Sequence, residues 1–120
     1  MRCTLEVDDE PIDSLMILNE IGGRKWIEMD SLVGTVPGEC IVPLMQRISE
    51  CAFGGLFAMP SGALAIRHCQ LLESLSDEAL ADMFGWFSRI THDVRLSAEL
   101  VVSESAFERQ GNQGDPVAPR

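Results

Sequence analysis

Nucleophilic, phosphate-binding and metal-binding chemistry each require side chains at particular spacings, and few residues of this sequence offer them. Ser61 lies in Met59-Pro60-Ser61-Gly62-Ala63. That run lacks the G-x-S-x-G frame that presents a serine nucleophile on a strained strand-to-helix turn, and it reads as a hairpin turn instead. Neither Gly22-Gly23 nor Gly54-Gly55 belongs to a G-x-x-x-x-G-K phosphate loop. Asp8, Asp9, Glu10 and Asp13 supply oxygens of the kind a divalent cation takes, but without EF-hand spacing or its central glycine; a solvated acidic turn is the simpler reading. His68 and Cys69 are adjacent on an expected strand, where neighbours point to opposite faces and cannot share a metal. Arg67 is either an anion contact or a solubilising charge on an edge strand. No catalytic residue, cofactor or metal ligand is therefore expected, and the protein reads as non-enzymatic.

The charge narrows the partners. The chain has 120 residues, with 19 acidic against 9 basic side chains and a net charge of −10. Nucleic-acid phosphates and anionic membrane surfaces are bound through Lys and Arg, so both are excluded as partners. A neutral or basic partner fits better. A hydrophobic fraction of 46% is enough for one packed core in one domain of this length. The start of the chain shows no basic-then-apolar leader, and no apolar run reaches the ~20 residues of a membrane span. A cytoplasmic protein is expected, with Cys3, Cys40, Cys51 and Cys69 as reduced structural thiols.

The elements that would position these groups follow from periodicity. Arg2–Asp8 alternates with Cys3, Leu5 and Val7 on one side, which predicts a strand. Ser14–Ile21 and Arg24–Val36 are apolar runs joined by Gly22-Gly23, a hairpin signal. In Glu39–Ala52 the period becomes helical, with Ile41, Leu44, Met45 and Ile48 on one face. Leu56–Met59 and Ala63–Cys69 flank Pro60-Ser61-Gly62 as a second hairpin, with Leu64, Ile66 and His68 on one face and Ala63, Ala65 and Cys69 on the other. Ser74-Leu75-Ser76-Asp77 reads as the start of a final helix whose apolar stripe runs through Val94 and as far as Val102. From Ser103 to Arg120 the composition predicts a disordered tail. The expected fold is α+β: an antiparallel sheet of about five strands, in the order β-β-β-α-β-β-α, with helices packed on it.

Several local patterns in this order resemble the YbjN family, which shares its fold with the class I type III secretion chaperones. They are Leu-Val-Gly-x-Val-Pro (Leu32–Pro37), Pro-Leu-Met-Gln-Arg on the helix (Pro43–Arg47), the hairpin from Gly54 to Arg67, and the run from Leu72 to Leu80. The stretch that resembles the family runs from Ile27 to about Leu96. The sequence departs from that group in opening on an extended segment where its members open on a helix. The resemblance implies an α+β, dimeric, non-enzymatic protein. Its secretion-chaperone relatives are small acidic dimers that hold extended segments of partner proteins on apolar surface.

On this reading the protein is a chaperone-like or regulatory homodimer that holds a protein or peptide partner. Ile41, Leu44, Met45 and Ile48 are expected at the dimer interface, where the alternative is a helix that simply covers the sheet. Trp26, Leu32 and Val33 are expected to contact the partner. Two other readings are a permanently covered accessory subunit of a complex and a small-molecule- or metal-responsive regulator.

Overall fold

The computed structural model describes residues 1–50 and 55–114. Five strands form one antiparallel sheet: β1 (Arg2–Val7), β2 (Glu10–Ile21), β3 (Arg24–Gly34), β4 (Gly55–Ala58) and β5 (Leu64–Leu71), in the spatial order β1-β2-β3-β5-β4. Helix α1 (Ile41–Arg47) lies between β3 and β4, with a single 3₁₀ turn on each side, and α2 (Asp77–Gly114) follows β5. The expected α+β order of elements is the observed one.

Turn chemistry sets the first two hairpins. Gly22 and Gly23 both have positive φ, 62° and 76°, the conformation a two-residue turn between right-twisted strands needs. At the β1–β2 turn the same conformation falls on Asp8 and Asp9, with φ of 50° and 65°. Aspartate tolerates the left-handed region better than most residues, but with some strain.

The sheet buries one face. Ile27, Met29, Leu64 and Ile66 meet Met83, Phe87, Val94, Ala98 and Val101 of α2 in the core. Leu64, Ile66 and His68 share that face, as the alternation predicts. Met83, Phe87, Val94, Ala98 and Val101 recur every three to four residues or multiples of that spacing, so one stripe of the long helix meets the sheet. Burial of a side chain such as Phe87 stabilises the fold by roughly 1.5–3 kcal/mol.

Three expectations are corrected here. The helix predicted over Glu39–Ala52 is α1 with its flanking 3₁₀ turns, and it reaches only Glu50 within the described residues. The last helix starts one turn later than Ser74. The hydroxyl of Ser76 accepts from the Ala79 amide at 3.1 Å, capping α2, while Ser74 closes the preceding turn by donating to the Leu71 carbonyl. Beyond Ser103, where disorder was expected, α2 continues to Gly114. Two ion pairs tie this stretch to the α1 region, Arg47 to Glu104 at 2.9 Å and Arg109 to Glu39. Residues 115–120 of the expected tail lie outside the described residues, as does Cys51.

Candidate functional site: the open face of the sheet

With α2 on one face, the other face of the sheet is left without a covering layer among the described residues. Cross-strand register defines what it carries. Arg2, Leu15, Asp30 and Arg67 are successive partners across β1, β2, β3 and β5, and so share one face. One step along, Leu32, Ala65 and Phe57 form a second row on that face.

At its centre is a charged cluster. Arg67 Nε donates to Asp30 Oδ1 at 2.8 Å and Nη2 donates to Asp30 Oδ2 at 3.1 Å, a bidentate pair. Glu28 Oε2 lies 3.4 Å from Arg67 Nε. The guanidinium also stacks 4.3 Å above the centre of the Phe57 ring. Burial, then hydrogen bonding with Asp30, raises the Glu28 carboxyl above its ordinary value despite the opposing pull of Arg67. Burial likewise pushes up the Cys69 thiol, and the carboxylate of Glu28 across the ladder adds to it. Arg67 was read as an anion contact or an edge charge. Neither holds: β5 is an interior strand, and the two carboxylates neutralise the guanidinium.

Apolar groups surround this cluster. Leu15 is 47% exposed and Leu32 49%, and Met59 and Pro60 of the β4–β5 turn are also exposed. With Phe57 they line a groove of about 580 Å³ whose walls also include Arg2, Asp13, Asp30, Arg67 and Arg95. The register puts Glu6, Asp13, Glu28 and Asp30 on this face with Arg2, Arg24 and Arg67, and within the groove Asp13 and Asp30 meet Arg2, Arg67 and Arg95.

The expected contact residues divide. Leu32 lines the groove. Trp26 is on the same face but half-buried beyond the groove, and its indole N–H has no acceptor among the described residues. Val33 is not on this face. It continues the alternation of Ile27, Met29 and Ser31 and packs against the core, and the β3–β5 register shifts just beyond Leu32, where Gly34 has φ of 128°. The expected dimer interface is corrected more strongly. Leu44 is fully buried and Ile48 is 3% exposed, both within the chain's own core. Ile41 is half-buried, and only Met45 of the four, at 52%, is well exposed. Helix α1 therefore covers the core, and the four residues do not form one outward seam.

A second constellation went unseen in the sequence. The acidic β1–β2 turn, read as solvated, docks on α2. His92, 5% exposed, places Nδ1 2.8 Å from Glu10 Oε2 and Nε2 3.4 Å from Asp8 Oδ2. Arg89 reaches Asp8 at 3.3 Å, and Arg95 reaches Glu10 at 3.4 Å while donating to the Leu32 carbonyl at 2.9 Å. Arg89, His92 and Arg95 recur at three-residue intervals on one side of the helix, the signal that could have paired them with the turn. The constellation anchors the hairpin and steadies Leu32 at the rim of the groove.

No helix among the described residues is long and apolar enough to cross a membrane. No family model matches the chain, and no curated protein matches it.

Proposed function

We propose that this is a non-enzymatic binding protein, chaperone-like or regulatory, that takes an apolar, net-basic segment of a protein partner on the open face of its sheet and acts as a homodimer. The observation that carries the reading is the groove: Leu15, Leu32, Phe57 and Met59 arranged around an Arg67–Asp30–Glu28 cluster whose guanidinium is already neutralised. Such a surface buries apolar side chains at about 25 cal/mol per Å² before ordering costs. The chain's net charge of −10 favours basic segments over acidic ones. The YbjN and secretion-chaperone resemblance agrees with this reading in its acidity, its dimeric state and its extended-segment ligands. A cytoplasmic location fits the same reading.

An array of immobilised extended peptides that vary independently in apolar content and net charge tests it. Binding is expected to follow apolar content, to be stronger for basic members, and to fall at least about tenfold for Leu32→Asp. Binding by no peptide, or binding unchanged in Leu32→Asp, would overturn it.

A further inference from the structure

The outer edge of β1 carries a self-complementary pairing pattern. Met1 and Met16 exchange both backbone hydrogen bonds, at 2.8 and 2.7 Å. In an antiparallel ladder bonded and non-bonded positions alternate, so Cys3, Leu5 and Val7 are the residues of β1 bonded to β2. The amides and carbonyls of Arg2, Thr4 and Glu6 therefore point away from β2, to the side where the sheet has no further strand. All three residues are exposed. Among the described residues, Arg2 and Glu6 have no ion-pair partner.

We propose that β1 pairs antiparallel with β1 of a second copy of this chain, about a two-fold axis through Thr4. In that register Arg2 lies opposite Glu6 of the copy, Glu6 opposite its Arg2, and Thr4 opposite Thr4. These are the positions whose backbone groups face outward, so each pair closes two N–H···O bonds. The same register sets two opposite-charge pairs side by side on the open face. Cys3 falls opposite Leu5 on the helix-facing side, where Leu5 is otherwise exposed. Sliding the register by two residues either way leaves two bonded pairs in place of three and separates Arg2 from Glu6. The interface is isologous, as a closed two-fold dimer requires, and it removes an edge that would otherwise be open to indiscriminate pairing. It joins the two sheets into one of ten strands and brings both grooves onto one continuous surface.

The inference rests on the homodimer of the proposed function and says where that dimer forms. Sedimentation equilibrium of the full chain, from micromolar to sub-millimolar concentration, tests it. The wild type is expected to be dimeric. Thr4→Pro is expected to be monomeric yet folded, because the Thr4 amide takes no part in the β1–β2 ladder. Arg2→Glu is expected to raise the dissociation constant about tenfold or more, and the Arg2→Glu/Glu6→Arg double variant to restore it. The double variant decides the matter if Thr4→Pro proves unfolded. A dimer unaffected by Thr4→Pro or by the single charge reversal would overturn the β1 interface and leave the homodimer standing. A wild type monomeric throughout would overturn both.

Discussion

Arg67 sits directly across the β3–β5 ladder from Asp30 and holds both of its carboxylate oxygens, at 2.8 and 3.1 Å, while its guanidinium carbon lies 4.3 Å from the centre of the Phe57 ring. The pair fixes the centre of the open face as a rigid, internally satisfied polar island among leucines. Glu28 shares that island with less compensation.

Glu28 gives the clearest pH signature. Its carboxyl is raised above the ordinary 4.5, so above that value the folded chain keeps the proton longer than the unfolded one. Stability contributed by this site therefore falls as pH rises from 4.5 through the raised folded value, and the deficit persists at neutral pH. Glu28→Gln is expected to be more stable than the wild type at pH 7, with the difference vanishing as the pH falls below 4.5. Urea midpoints of both proteins across that range check it; an equal difference at both ends would contradict the assignment.

Leu44 separates a core helix from an interface helix. With Leu44 fully buried in the core, Leu44→Ala is expected to lower unfolding free energy by about 2–5 kcal/mol. Leu44→Asp should unfold the chain, whereas Met45→Asp, at an exposed position, should stay within about 0.5 kcal/mol of the wild type. Circular-dichroism denaturation curves distinguish these outcomes.

The β1–β2 turn stores strain at two aspartates. Asp9 has positive φ and no ion-pair partner among the described residues, so Asp9→Gly is expected to stabilise the fold by up to about 1 kcal/mol. Asp8→Gly removes the same strain but also the contacts to Arg89 and His92, and should gain less or lose. Thermal unfolding of the two variants, compared side by side, reads the difference.

Local chemistry made much of this fold legible. Gly22-Gly23 and Pro60-Ser61-Gly62 announce their hairpins because a turn's φ requirements are met within a few residues. Alternation in Leu64–His68 sorts the faces of β5 for the same reason. The apolar stripe of Ile41, Leu44 and Ile48 shows that a helix face is buried, but periodicity does not say against what; the answer is α2 and the sheet of the same chain. The same alternation, Ile27, Met29, Ser31, puts Val33 on the core side, whereas the register shift between Leu32 and Gly34 depends on pairing with β5, more than thirty residues away in sequence.

The groove itself was half legible. Leu32 is marked by its apolar pairing with Val33, while Leu15, Asp30 and Arg67 come together only through the register of three strands. The docking of Asp8 and Glu10 onto Arg89, His92 and Arg95 joins residues more than eighty positions apart, beyond any local pattern. Past Ser103 the polar composition hides a helix. Extending a helix already nucleated by tertiary packing costs little, and the ion pairs to Glu39 and Arg47 hold the added turns.

The central claim is that the open sheet face is where a protein partner sits. Placing a photo-cross-linking amino acid at Leu32 in the native cell, with Asp82 on the exposed side of α2 as the control position, tests it most directly. A discrete heavier adduct at Leu32, absent at Asp82 and lost when Leu15→Asp is added, is the predicted result. No adduct at Leu32, or the same adducts at both positions, would contradict it.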